Sequence, residues 1–185
     1  MKAQMRQSAL DARRAMSAES RNLASAKICS TVIRSHEFFA AKSIACYLPM
    51  PDEVDPGRII ERAWCAKKRI FCPVTAKRGK MFYRRLERHT TLKRNPFGLW
   101  EPVDGEIIAA RQLDLVITPL VAFDDDHNRI GMGAGYFDRY FAFQKRRRLW
   151  LRPKLMGVAF DCQKVEKIAS NPWDIRLYTI ISATG

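Results

Sequence analysis

The pattern of apolar and polar positions divides the chain into a helical opening and a series of short apolar strands. Residues 2–15 have helix-forming composition, and Ser17 is placed to cap a second helix from residue 18 to about 34, with Leu23, Ala26, Ile28, Val32 and Ile33 as its apolar face. Residues 43–48 form a nearly continuous apolar run of strand length, broken by the proline-rich stretch 49–56. Asp55 followed by Pro56 suits a helix start, because the carboxylate caps free N–H groups and proline needs no donor in the first turn; the helical period then runs over 58–64. Residues 69–73 and 81–84 read as strands flanking a basic turn at 77–80, and 95–102 as a loop between prolines. A buried strand is expected over 113–124, a helix from Tyr136 to about Gln144, and final strands over 154–160 and 177–181. Apolar strands alternating with helices predict one α/β domain in three layers (α/β/α), with a largely parallel sheet growing by β-α-β steps and helices on both faces.

Composition narrows the partners. Among 185 residues, 33 basic against 19 acidic side chains give a net charge of +14, which favours an anionic partner: a nucleotide, a polyanionic metabolite, nucleic acid or a membrane surface. A nucleic-acid module should interleave exposed aromatics with its basic residues or show a recognised helix signature; neither is evident, so that class is not expected. The five cysteines are odd in number and lack C-x-x-C, as expected of reduced core residues in a cytoplasmic protein, here expected to be a monomer. No apolar segment reaches membrane-spanning length and no apolar stretch follows the first basic residues, so no membrane partner is expected. The Arg- and Ser-rich start imitates a mitochondrial presequence, but Asp11 and Glu19 argue against that reading.

Candidate chemistry concentrates in Arg129-Ile130-Gly131-Met132-Gly133-Ala134-Gly135-Tyr136-Phe137-Asp138-Arg139. Alternate glycines allow close backbone approach, and successive N–H groups opening a helix suit a phosphate, with Arg129 and Arg139 adding charge. The spacing is neither G-x-G-x-x-G nor a P-loop, so a ligand-free turn between strand and helix remains the alternative. Asp138 stands about one turn into the helix, where Mg²⁺ held by one or two carboxylates and phosphate oxygens would need it. Glu53 lies in a loop after a strand, where open α/β sheets place ligands. Asp124, Asp125 and Asp126 beside His127 suggest a metal site, but successive carboxylates in a turn are more commonly solvated.

The stretch from Leu115 to Arg139 resembles the motif of the 5-formyltetrahydrofolate cyclo-ligase family, P-x-x-A-F-D-x-x-G-x-R-L-G-x-G-G-G-Y-Y-D-R, with departures at His127, Ile130, Ala134 and Phe137. His tolerates positive φ better than most residues, so a turn at His127 is expected to survive. The likeness covers nearly the whole chain. It implies ATP-dependent conversion of 5-formyltetrahydrofolate to 5,10-methenyltetrahydrofolate, with ATP as co-substrate and Mg²⁺ as cofactor. Lys2 and Arg6 match the family's K-x-x-x-R element, whose side chains contact ATP phosphates; Arg129 to Phe137 would complete the ATP site. Leu48 and Glu53 match positions lining the folate site, which residues 132–136 would share. Trp100, in a segment like the family's G-I-x-E-P, either stacks on folate rings or packs over the sheet edge. Asp174 matches an aspartate that helps Asp138 hold magnesium. Another small kinase or ligase using the same loop is the competing function. The surplus charge suggests a further expectation: basic tracts at 77–94 and 145–154, near the sheet's ligand edge, attract the polyglutamate tail of the folate.

Overall fold

The computed structural model describes residues 1–76, 79–146 and 152–184; Lys77, Arg78, Arg147 and Arg148 of the basic tracts lie outside the described residues. Helices α1 (Lys2–Ala15) and α2 (Ala18–Arg34) match the expected spans, and the Ser17 hydroxyl accepts the Ser20 N–H at 3.1 Å as an N-cap. A five-residue helix α3 (His36–Ala40), too short to carry a visible period, leads into β1 (Ser43–Ala45). The apolar run continues beyond β1, and Cys46 N–H still donates to Phe71 at 2.8 Å before the chain turns away. Asp55 accepts the Gly57 N–H at 2.8 Å at the start of α4 (Gly57–Cys65).

The remaining elements are β2 (Arg69–Ala76), β3 (Lys80–Leu86), β4 (Leu92–Arg94), β5 (Trp100–Pro102), β6 (Ile107–Ile108), β7 (Leu115–Pro119), β8 (Ala122–Phe123), β9 (Arg129–Ile130), α5 (Tyr136–Phe141), β10 (Lys154–Val158) and β11 (Thr179–Ile181). Seven strands form one sheet in the order β11-β10-β7-β1-β2-β3-β6. The pairings from β11 through to β2 are parallel, whereas β2–β3 and β3–β6 are antiparallel. Growth by β-α-β steps therefore stops at β2. The connection from Ala76 to Lys80 is too short for a crossover, which needs about a dozen residues, so β3 folds back as a hairpin. The other strands make two small hairpins, β4–β5 and β8–β9.

One face of the sheet meets α2 and α4: Ile28, Val32, Ile59 and Ala63 pack on Ile44, Ile70, Leu115 and Met156. The opposite face, expected to carry a full helical layer, is covered by α5, a 3₁₀ turn (Ala142–Arg146) and an aromatic cluster. Phe141 is fully buried there, with Tyr83, Phe137, Tyr140 and Phe143 around it at 4.6–6.2 Å between centroids. Rings fill the volume that a longer helix would otherwise occupy, and burying one Phe contributes roughly 2–3 kcal/mol. A third cluster joins Ala9 and Leu10 of α1 to Val121, Ala122, Ile130 and Ile168. That contact matters for the site, because it seats α1 against the hairpin that delivers the glycine loop. No helix among the described residues is long and apolar enough to cross a membrane.

Candidate active site

The carboxyl ends of β1 and β7 open into a cleft of about 1340 Å³. Three segments far apart in sequence meet over it. Helix α1 supplies Lys2 and Arg6; because Leu10 is anchored one turn beyond Arg6, that face of the helix is turned toward the glycine loop, and Arg6 Nε donates to the Gly131 carbonyl at 2.9 Å. The β8–β9 hairpin supplies the loop itself. Its turn is tied by Asp124, a buried carboxylate that accepts Asn128 N at 2.9 Å, Asn128 Nδ2 at 3.0 Å and Ile168 N at 2.8 Å. His127 takes φ 60° in this turn, the left-handed conformation expected of it. Asp125 and Asp126 project into solvent, and no group of three or more potential metal ligands occurs among the described residues.

The loop's conformation explains its departure from three consecutive glycines. Gly133 and Gly135 have φ 107° and 65°, whereas Ala134 does not occupy the positive region, so its methyl group adds no backbone strain. Arg139 lies across the loop, donating to Ala134 O at 2.7 Å and Gly79 O at 3.3 Å, and so links it to the β2–β3 hairpin. A side chain at Gly135 would bring its Cβ to 2.7 Å from that guanidinium.

Both candidate metal carboxylates are held by cations. Asp138 Oδ1 accepts Arg129 Nη2 at 2.9 Å and Ile175 N at 2.9 Å, and its Oδ2 has no hydrogen bond among the described residues. Arg129 is 5% exposed, stacks on Phe137 at 4.1 Å and also donates to Ile175 O, so its charge is committed to the pair rather than free in the cleft. Burial lowers the Arg129 pKa against the opposing pull of Asp138. Asp174 accepts Lys2 Nζ at 2.7 Å and Asn171 N at 2.8 Å. Burial raises its pKa, but the Asn171 N–H, Lys2 and Arg129 outweigh burial and hold the carboxyl below its ordinary value.

Across the cleft, Arg13 explains the loop carrying Glu53. This buried arginine donates to Asp52 Oδ2 at 2.9 and 3.1 Å and lies 3.9 Å from Glu53, fixing residues 50–54. Glu53 accepts Met50 N at 3.0 Å, and burial raises its pKa against that bond and Arg13. Lys2, Arg6, Leu48, Glu53, Trp100, Arg129, Ile130, Gly131, Met132, Gly133, Ala134, Gly135, Tyr136, Phe137, Asp138 and Asp174 all line this one cleft. Trp100 is 43% exposed and stacked by Arg94 at 4.8 Å, which favours the open aromatic reading over packing on the sheet edge.

Sequence reasoning missed Phe97, Glu101, Tyr83 and Thr118, which also line the cleft. Phe97 carried the same signal as Trp100, an aromatic in a proline-bounded loop. Its ring lies 6.3 Å from that of Tyr136. Tyr83 and Thr118 sit within strands and carried no local signal. Among the described residues, most of the basic tracts are not at the cleft. Strand β3 runs away from the ligand edge, and Arg88 pairs with Glu61; Arg152 pairs with Asp114 and Lys154 with Glu37 at the far edge. Lys145 lines the cleft, and Arg94 meets it through Trp100.

A mostly parallel sheet with a deep cleft at the carboxyl ends of its central strands defines a small-molecule α/β enzyme. Solved structures with this fold include the 5,10-methenyltetrahydrofolate synthetase of Aquifex aeolicus, with a TM-score of 0.83 and 29% identity over 100% of this chain and 90% of that one. Another is the synthetase of Mycoplasma pneumoniae, with a TM-score of 0.78 and 25% identity over 98% of both chains. The 5-formyltetrahydrofolate cyclo-ligase of Haemophilus influenzae is 36% identical over 146 residues, covering 76% of this chain and 75% of that protein. The cyclo-ligase of Escherichia coli K12 is 34% identical over 77% of this chain and 78% of its own length. The model of the 5-formyltetrahydrofolate cyclo-ligase family matches residues 1–183, and the chain belongs to that family.

Proposed function

We propose that this chain is a cytoplasmic enzyme that closes 5-formyltetrahydrofolate to 5,10-methenyltetrahydrofolate at the expense of ATP, releasing ADP and phosphate. The observation that carries the reading is the convergence of α1, the glycine loop and the Glu53 loop on one cleft in a chain of this family. A formamide oxygen is a poor leaving group, so it first attacks the γ-phosphorus and displaces ADP. N10 of the same folate then attacks the activated carbon, loses its proton, and phosphate departs with the former formyl oxygen. Phosphoryl transfer asks mainly for positioning and charge neutralisation, and ring closure within one molecule gains from proximity.

In this reading Lys2 and Arg6 grip the nucleotide phosphates from one side and the N–H groups of residues 131–137 from the other. Arg129 acts through Asp138, holding Oδ1 so that Oδ2 faces the phosphates. Leu48, Glu53 and the aromatic side chains Trp100 and Tyr136 would receive the folate. The donor set fits Mg²⁺: one unpartnered carboxylate oxygen on Asp138 and a nearby Asp174, with phosphate oxygens and water to complete the shell. When bound there, Mg²⁺ would neutralise charge on the transferring phosphoryl group. A polyglutamate tail would leave the cleft past Arg94 and Lys145.

The test is direct. Mixing the protein with MgATP and 5-formyltetrahydrofolate should raise absorbance at the longer wavelength where methenyltetrahydrofolate absorbs. ATP turnover without that change would favour another kinase or ligase.

A further inference from the structure

Glu101 is a carboxylate only 3% exposed, in the wall of the cleft, and the proposed reaction gives it no chemical task. One of its oxygens, Oε1, accepts three hydrogen bonds: from Thr75 N at 2.8 Å, Thr75 Oγ1 at 2.8 Å and Asn95 Nδ2 at 2.7 Å. Asn95 passes the constraint on. Its Oδ1 accepts Phe97 N at 2.9 Å and Leu99 N at 3.0 Å, and its amide also reaches Thr75 Oγ1 at 3.1 Å.

Arg84 of β3 donates to the Pro102 and Val103 carbonyls at the far end of the β4–β5 hairpin, which leaves the 95–100 loop itself to this network. Strands β4 and β5 pair over three residues, all of β4 is exposed, and a lone two-stranded hairpin is marginal in water. Phe97 and Trp100 face solvent and the cleft, so hydrophobic burial does not fix them. The buried carboxylate does so by joining the loop to β2, a central part of the sheet.

We propose that Glu101, through Asn95 and Thr75, is a positioning residue that clamps the 95–100 loop so that Phe97 and Trp100 form the aromatic wall on which the folate rings rest. This rests on the assignment of that end of the cleft to folate. The ligand class that fits the wall is a flat, conjugated ring system; the Tyr136 ring, edge-on to Phe97 at 6.3 Å, borders the same end of the cleft.

The experiment compares steady-state KM for 5-formyltetrahydrofolate and for MgATP in Phe97→Ala, which removes the wall, Glu101→Ala and Asn95→Ala, which release it, and Glu101→Gln, which keeps the acceptor oxygen. Phe97→Ala, Glu101→Ala and Asn95→Ala should each raise the folate KM on the order of tenfold, with the MgATP KM within about twofold, and Glu101→Gln should restore most of the affinity. A general loss of fold would not give that split or that rescue. Asn95 is only half-buried, so its variant decides the matter if Glu101→Ala does not fold. Wild-type folate KM in Glu101→Ala and Asn95→Ala beside an impaired Phe97→Ala would overturn the clamp alone. Wild-type folate KM in Phe97→Ala as well would overturn the folate assignment, and the clamp's role with it.

Discussion

Replacing Asp138 by Asn separates the structural task of this carboxylate from the metal-binding task proposed for it. Asn keeps an acceptor oxygen for Arg129 Nη2 and Ile175 N, so the geometry around Oδ1 can persist, but the buried guanidinium loses its counter-charge. Exchanging a charge-assisted for a neutral hydrogen bond should cost about 1–2 kcal/mol, with Asp174 supplying residual compensation. For a chain of this size that lowers Tm by roughly 2–8 °C, so the fold survives at 25 °C. The loss at Oδ2 is larger in effect. With Oδ2 as the proposed ligand of Mg²⁺, its replacement should remove about 3 kcal/mol of transition-state stabilisation, on the order of a hundredfold in kcat. The assay is the rise of methenyltetrahydrofolate absorbance at saturating MgATP and folate, repeated over a range of free Mg²⁺, alongside a thermal melt. Turnover within a few-fold of wild type would refute the metal role of Asp138, and a melt lowered without loss of turnover would leave it only the structural task of holding Arg129.

The loop makes a paired prediction: Gly135→Ala, at φ 65° and with its Cβ 2.7 Å from Arg139, should cost about 1–2 kcal/mol and raise the MgATP KM, whereas Ala134→Gly should leave both KM values within about twofold. An improved enzyme from Ala134→Gly would mean that the loop is strained at that alanine. Lys2→Ala should act through the nucleotide, raising the KM for MgATP with little change for folate, since Lys2 meets Asp174 and not the Glu53 loop; an effect confined to folate would reassign it. Glu53→Gln should impair folate binding yet raise Tm at pH 7. Burial raises the folded pKa of Glu53, so its contribution to stability is present below the unfolded value near 4.5 and is lost as pH rises through the folded one; the gain in Tm should shrink to nothing as pH falls below about 4.5. A constant difference in Tm across that range would show that charge burial is not its cause.

The parts of the fold legible in the sequence are those whose signal is local. Helices α1 and α2 carry their own caps and periods, and the buried parallel strands β1, β7 and β10 are continuous apolar runs. The turn at 77–80 between β2 and β3 is legible too, but apolar content does not reveal strand direction, and the antiparallel pairing follows from the shortness of that connection. The extent of α5 is less legible, for a different reason. Tyr136, Phe137, Tyr140 and Phe141 fit a helical period, but the helix they begin is six residues long, and the same rings complete the layer by packing on one another. Within the site, the glycine loop and the K-x-x-x-R element are contiguous and readable by resemblance. The places of Tyr83 and Thr118 in the cleft, and the partners of Arg13 and Glu101, are not, since each acquires its environment only when distant segments meet.

Charge shows the same division between composition and place. A net charge of +14 favours an anionic partner, yet among the described residues the cleft is lined by five cations, Lys2, Arg6, Arg129, Arg139 and Lys145, against four carboxylates, Glu53, Glu101, Asp138 and Asp174. That excess of one leaves most of the surplus elsewhere on the chain, where Arg88, Arg152 and Lys154 are matched by Glu61, Asp114 and Glu37 and so add nothing to it. Charges spread in this way act over distances comparable to the Debye length, so they can raise the encounter rate with a polyanion and will be screened by salt. They cannot discriminate one phosphate from another. Discrimination needs donors at fixed positions, and those come from the positive-φ glycines, the Arg6 contact to Gly131 and the Arg139 bridge to the β2–β3 hairpin, each of which orders the loop through a direct hydrogen bond or backbone conformation.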